Sequence, residues 1–215
     1  MKKTYGFIFL IVFCMVLTSC AKDSQPDNKD EEVYIMQTEK GNIQIESSSS
    51  LWNYREVLSE YTNEGACYAF IRIAGSNEPI FLISDRYMDI KIDDYDYCVT
   101  GIASAYIIQD NEVHFLGKFE SEMPGFSLCI DQLSYLYTVG VEDVRQWAYD
   151  EERKTLIAVD GAYIEEKNGV KTYKYFNEET DGRIEEIGNE SALLAMHAKH
   201  ARAIPIRFRT LIKYN

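Results

Sequence analysis

The chain has 215 residues, 46% hydrophobic and 13% aromatic, and its 22 Lys and Arg against 35 Asp and Glu give a net charge of −13. That length holds one domain with a real core and is short for two. A charge of this sign repels nucleic acid and anionic lipid, which excludes a nucleic-acid partner and leaves solubility as the plain reading of the acidity.

At the start of the chain, Lys2 and Lys3 precede an apolar run from Tyr5 to Leu17 that only Gly6 interrupts. A charged segment followed by an apolar one is the order of a secretory leader. The run is shorter than the about 20 residues needed to cross a bilayer core, and Thr18 and Ser19 end it, so it reads as a targeting segment and not a span. Leu17-Thr18-Ser19-Cys20 resembles the lipobox of bacterial lipoproteins, with Leu three before the Cys and small residues between. The resemblance implies a signal peptide over 1–19, cleaved before a lipidated Cys20, and a mature chain lipid-anchored at the cell membrane on its extracytoplasmic side. One acyl chain binds a membrane marginally, but the two or three that this pathway attaches anchor it stably.

Residues 21–32, AKDSQPDNKDEE, carry no apolar side chain larger than alanine and are charged at most positions. Such a stretch cannot bury enough surface to offset its ordering entropy. With Cys20 it is expected to form a flexible tether over 20–32, leaving a single domain over 33–215.

Within that domain, Leu51, Tyr54, Val57, Leu58 and Tyr61 recur at helical spacing behind a serine run that can cap a helix, which predicts a helix over 51–61. Strand composition follows. The predicted strands are Cys67 to Ile73, Ile80 to Ile83, Tyr97 to Gln109, Val113 to Phe119, Phe126 to Ile130, Tyr135 to Val139, Val144 to Tyr149, Thr155 to Glu165 and Val170 to Phe176. Turn signals such as Gly75-Ser76-Asn77, Asp110-Asn111 and Pro124-Gly125 separate them. Asn168-Gly169 is the strongest hairpin signal, because both residues tolerate positive φ. A short strand over 182–187 leads to a second helix opened by Asn189-Glu190-Ser191, carrying Leu193, Leu194 and Met196 and stopped by Pro205. The tail then alternates Ile204, Ile206 and Phe208 with Pro205, Arg207 and Arg209, as an edge strand docked on a sheet would, with the arginines near the carboxylates at 85–96. The predicted class is α+β, mostly an antiparallel β-meander with one helix near each end.

Of the five cysteines, Cys14 leaves with the leader and Cys20 is lipidated, so the body holds Cys67, Cys98 and Cys129. Three thiols allow at most one disulfide, and which pair forms it, if any, is open. Each sits in an apolar run, where a free Cys packs as a small hydrophobe.

The chemistry-bearing stretch that stands out is acidic: Asp85, Asp89, Asp93, Asp94 and Asp96, interleaved with Tyr87, Tyr95 and Tyr97. Asp85, Tyr87, Asp93, Asp94, Tyr95 and Asp96 are the candidate ligand-binding residues, with a solvated loop as the plain alternative. The spacing is not that of a calcium loop, which needs acids at positions 1, 3 and 5 and Gly at 6. His197 and His200 share a helical face, but Lys199 and Arg202 make it positive, so no metal is expected. The chain has no GxSxG, GxGxxG or Walker A pattern, so neither catalysis nor a cofactor is expected. Sixteen tyrosines suit sheet packing more readily than ligand contact.

A tether, a helix of the form WxYxxVLxEY over 52–61, Tyr68 to Ile73 running into Glu78-Pro79-Ile80-Phe81-Leu82-Ile83, and a hairpin from Tyr106 to Gly117 come in that order before a closing helix and a basic, apolar strand. This arrangement resembles a group of uncharacterised envelope lipoproteins of gut Firmicutes. Relatives of that kind carry a D-x-N/D-G-D-G loop where this chain has Ala74-Gly75-Ser76-Asn77, and that departure argues against calcium there. The resemblance implies architecture only. The function expected is that of a non-enzymatic binding or interaction module of the cell envelope, with an envelope protein or a glycan as partner; the alternatives are a carbohydrate-binding lipoprotein and an unrecognised hydrolase.

Overall fold

A computed structural model describes residues 34–37, 43–46, 48–61, 65–92, 94–122, 126–177 and 182–211. The expected leader, Cys20, the tether to residue 32 and Asp93 lie outside these. The described chain opens with a hairpin of β1 (Tyr34–Gln37) and β2 (Ile43–Glu46). Two short helices follow, α1 (Ser48–Asn53) and α2 (Arg55–Glu60), where one was expected. Tyr54 breaks them apart: at φ −101° and ψ 17° it leaves helical geometry, and its ring stacks on Phe81 with centroids 4.3 Å apart.

Next come β3 (Cys67–Ile71), β4 (Ile80–Ser84), β5 (Met88–Ile92), β6 (Tyr95–Val99), β7 (Ile102–Gln109) and β8 (Glu112–Glu120). The strand predicted over 97–109 is two strands, because the chain leaves the β5–β6 ribbon at Thr100 and Gly101 before entering β7. The Thr100 hydroxyl fixes that corner, accepting the Ile102 N–H at 3.2 Å and donating to the Ile102 carbonyl at 3.1 Å. The Asp110-Asn111 turn between β7 and β8 has φ of 52° and 65°, the positive values that a two-residue hairpin turn requires.

The second half comprises β9 (Cys129–Ile130), β10 (Leu136–Val139), β11 (Asp143–Asp150), β12 (Thr155–Lys167), β13 (Val170–Phe176), β14 (Glu185–Ile187), the helix α3 (Ser191–His200), and β15 (Ile204–Pro205) and β16 (Arg209–Thr210). Asn168 and Gly169 form the β12–β13 turn with φ of 54° and 76°, as their sequence predicts.

All pairings are antiparallel, and the strands form two large sheets where one meander was expected. One has the order β16-β3-β4-β7-β8 and the other β14-β13-β12-β11-β10-β9-β15; β5 and β6 stand apart as a ribbon. Strand pleating explains why both large sheets are covered on both faces. In β3, Cys67, Ala69 and Ile71 join the central core, while Tyr68 and Phe70 turn to the opposite face. The central core packs these residues and Ile80, Leu82 and Ala105 against Leu136, Tyr149 and Leu156 of the other sheet and Leu128 just before β9. On the outer face of the five-stranded sheet, Phe70, Phe81 and Ile83 pack against Tyr54, Val57 and Leu58 of the α1–α2 segment. On the outer face of the seven-stranded sheet, Cys129, Tyr137, Val144 and Ala162 pack against Leu193 and Met196 of α3.

The tail, expected as one strand, is two short strands on different sheets. Ile204 pairs with Ile130 at the edge of one sheet, and Arg209 pairs with Tyr68 at the edge of the other. Between them the Ile206 N–H donates to Leu128 O and the Phe208 N–H to Cys98 O, at 2.9 and 2.8 Å. Arg207 lies over the Tyr97 ring, 4.0 Å from its centroid, and donates to the Tyr97 hydroxyl at 2.9 Å. A loop joins the sheets elsewhere: the Ala74 N–H donates to Ser134 O and the Tyr149 N–H to Ala74 O, each at 2.8 Å. Gly75 follows with φ of +85°, and a Cβ there would sit 2.1 Å from the Tyr149 carbonyl oxygen, so only glycine fits this crossing.

Ile206 and Phe208 are buried to 1% and 4% exposure. Burying two such side chains is worth about 3–6 kcal/mol, of the order of a small domain's whole stability, about 5–15 kcal/mol. Deleting residues 204–215 is therefore expected to abolish the cooperative thermal transition. A truncated chain that melts at the full chain's temperature would show the tail to be an independent arm.

Candidate functional site

The acidic stretch is exposed and is spread over the segment before β5, the β5–β6 turn and β6 itself. Asp85, Tyr87, Asp94, Tyr95 and Asp96 are all exposed. The β5–β6 register places Asp89 opposite Cys98 and Lys91 opposite Asp96 on one face, and Ile90 opposite Tyr97 and Ile92 opposite Tyr95 on the other. Within the strands, period-two alternation sends Asp89 and Asp96 to one side and Tyr95 and Tyr97 to the other, while Asp85, Tyr87 and Asp94 lie outside the strands. Lys91 and Asp94 approach to 3.9 Å, but both are largely exposed, and such a pair contributes at most about 1 kcal/mol. Among the described residues, no three His, Cys, Asp or Glu side chains stand where they could hold a metal ion.

Polar side chains converge elsewhere, on the outer face of the seven-stranded sheet beside the C-terminal end of α3. A cleft of about 530 Å³ opens there, within the range usual for small-molecule sites. Its floor is a network rooted in the β9–β10 turn. Asp131 Oδ1 accepts the N–H groups of Leu133 and Tyr135, at 2.9 and 3.0 Å, a short-range carboxylate turn of the kind Asp favours. Asp131 Oδ2 accepts the Tyr137 hydroxyl at 3.1 Å and Gln146 Nε2 at 3.2 Å, and Gln146 Nε2 also donates to the Tyr137 oxygen at 3.0 Å. Burial, and then the Asp131 carboxylate, push the Tyr137 phenol well above its ordinary value, so it stays a proton donor at any physiological pH.

The opposite wall belongs to β12 and α3. Asp160 is 7% exposed and pairs with Lys199 of α3 through Oδ2. Its Oδ1 is buried without a hydrogen-bond partner, which is costly for a carboxylate oxygen. Arg202, exposed just beyond α3, and Asn177, beyond β13, complete the rim. A larger cleft, of about 670 Å³, lies between the α1–α2 segment and the β7–β8 turn. Its charged groups, Glu78, Asp110, Glu151 and Lys154, are exposed at turns and loops and do not form a rooted network.

The two histidines of α3 help to seat the helix. His197 Nε2 lies 3.2 Å from Val141 O. The His200 ring packs edge-on against Phe126 and tilted against Tyr137, and its Nε2 is buried without a hydrogen-bond partner.

Sequence reasoning passed over the cleft residues, although two carry a readable signal. Asp160 stands in the otherwise apolar and small run Ile157-Ala158-Val159-Asp160-Gly161-Ala162, an acid where the strand buries both faces. Asp131, three before Ser134, is a turn former. Gln146 and Tyr137 give no such sign, since only register brings them together.

No protein-family model matches the chain, and neither does any curated protein or solved structure. No helix among the described residues is long and apolar enough to cross a membrane.

Burial, with a smaller contribution from His197, lowers the His200 pKa below its ordinary 6.5. The unfolded chain therefore binds the extra proton first as pH falls, so this stability is complete above about 6.5 and is lost as pH drops toward the folded-state value. Urea titrations between about pH 8 and pH 5 should show a shallower loss of stability in His200→Phe than in the wild type. Equal slopes would contradict the burial argument.

Proposed function

We propose that this chain is a lipid-anchored, extracytoplasmic binding module of a bacterial cell envelope, and that the cleft beside α3 seats its ligand. The observation that carries the reading is the cleft's polar wall, where Asp131 fixes Tyr137 and Gln146 and Asp160 holds Lys199. Pre-fixed hydrogen-bonding groups beside tyrosine faces suit a small polar ligand of sugar size. Both cleft carboxylates are engaged, Asp131 by four donors and Asp160 by Lys199, which favours binding over general acid or base chemistry. Lys199 and Arg202 at the rim suit a ligand that bears negative charge.

The anchoring part rests on the Lys2-Lys3, apolar, Leu17-Thr18-Ser19-Cys20 order. Cys20→Ala is expected to abolish labelling by radioactive palmitate and release the chain from the membrane fraction. A variant that still labels and sediments with membranes would overturn it.

The binding part is tested by calorimetric titration of the full chain, in detergent, with soluble glycan fragments of bacterial envelopes. Saturable binding is expected, weakened about tenfold, roughly 1.4 kcal/mol, by Gln146→Ala or Arg202→Ala and unchanged by Tyr95→Ala on the ribbon. No binding by any fragment, or loss on Tyr95→Ala alone, would overturn the assignment to this cleft.

A further inference from the structure

The larger cleft, between the α1–α2 segment and the β7–β8 turn, holds about 670 Å³ and shares no lining residue with the one beside α3. Its rim has no rooted network, but its floor is fixed. Tyr54, 2% exposed, stacks on Phe81 with centroids 4.3 Å apart and meets the Phe70 ring tilted at 5.8 Å. On the β7 wall, Gln109 Nε2 donates to the hydroxyl of Tyr149. Tyr54 lines the cleft, and its own hydroxyl has no hydrogen-bond partner among the described residues, yet it is not sealed from solvent as Gln109 Oε1 is. Leaving a desolvated polar group unpaired is costly, so this phenol bonds whatever fills the cleft.

The rim is acidic, with Glu78, Asp110 and Glu151 against Lys154. Lys154 Nζ lies 3.5 Å from Asp110 Oδ2, which leaves the carboxylates of Glu78 and Glu151 without an ion-pair partner among the described residues. Burial, and then the Glu78 carboxylate, push the Tyr54 phenol well above its ordinary value, so it keeps its proton. Phe70, Pro79 and Ile108 add apolar area beside these charges.

We propose that this cleft is a second binding site, for a peptide that carries a lysine-type primary amine. The ammonium pairs with the free carboxylates of the rim, and its methylene stem covers the apolar lining, as amphipathic side chains do. The Tyr54 hydroxyl donates to a carbonyl oxygen of the peptide backbone. The charge of the rim disfavours an anion. A bare metal ion is disfavoured as well, since among the described residues no three ligating side chains converge. The chain's net charge of −13 draws a cationic ligand toward it. None of this rests on the reading of the cleft beside α3.

The test titrates the isotope-labelled full chain, in detergent, with acetyl-Ala-Lys-Ala-amide and follows backbone amide shifts by NMR. Saturable shifts are expected over 76–79, 107–111 and 151–154. Affinity is expected to fall roughly tenfold when Glu78→Gln and Glu151→Gln are combined, and roughly fivefold in Tyr54→Phe, which keeps the ring stack. Replacing the lysine of the peptide by norleucine is expected to cost about tenfold, and Arg202→Ala, on the other cleft, to change nothing. No shift with the lysine peptide, equal binding of the norleucine peptide, or shifts confined to 131–137 and 196–202 would overturn the site. Full affinity in Tyr54→Phe would overturn the role of the phenol. If that variant melts at a lower temperature, the paired glutamine variant, whose changes lie on the surface, decides the site by itself.

Discussion

The fold depends on one constraint, the burial of the inward faces of two antiparallel sheets against each other. In the five-stranded sheet that face is built largely from small and branched residues, with Ala69, Ala103 and Ala105 between Ile71, Ile80, Leu82 and Ile107. Larger groups fill the space they leave. Phe119 meets Trp147 edge-on with centroids 5.2 Å apart, and Tyr149 lies in the same core. Near this interface the Trp147 indole donates to Thr138 at 2.9 Å and Gln109 Nε2 donates to the Tyr149 hydroxyl, while Gln109 Oε1 is buried without a hydrogen-bond partner. Dense packing of unlike sizes in one layer is what fixes the sheets in a single arrangement.

Because both sheets also have apolar outer faces, each needs a cover, and the chain supplies a helical segment to each. The two covers differ. The α1–α2 segment lays Tyr54, Val57 and Leu58 over an aromatic cluster of Phe70, Phe81 and Tyr106. The α3 helix is ten residues long and buries only Leu193 and Met196 on a seven-stranded sheet. The surface it leaves uncovered is where Asp131, Gln146 and Asp160 lie, so the candidate cleft follows from a cover too short for its sheet. The tail supplies an edge strand to each of the two sheets and holds the β5–β6 ribbon between them through Arg207 and Phe208.

Local pattern exposed much of the secondary structure and little of its assembly. Most strands, the Asn168-Gly169 turn and α3 follow from alternation, turn chemistry and helical spacing, all local to the chain. Three features were hidden. Tyr54 fits a helical stripe, but stacking on Phe81 draws it inward and breaks the helix, a tertiary effect. The run from Tyr97 to Gln109 has unbroken strand composition, so only the backbone bonds of Thr100 mark where the chain changes sheets. In the acidic stretch the alternation of Asp96 with Tyr95 and Tyr97 is strand pleat, which its composition does not distinguish from the loop and turn that hold Asp85, Tyr87 and Asp94. For the cleft, Asp160 was visible as an acid in an apolar strand, while its partner Lys199 and the Asp131, Tyr137 and Gln146 network depend on strand register, which no short window contains.

The central claim is that the surface beside the end of α3 is where a ligand sits. Hydrogen–deuterium exchange of the full chain, with and without soluble envelope glycan fragments, tests it most directly, because bound ligand slows local opening where it contacts the protein. The account predicts new protection in the peptides covering 131–137 and 196–202, with the β5–β6 ribbon unchanged. Protection confined to 88–99, or none anywhere at saturating ligand, would contradict it.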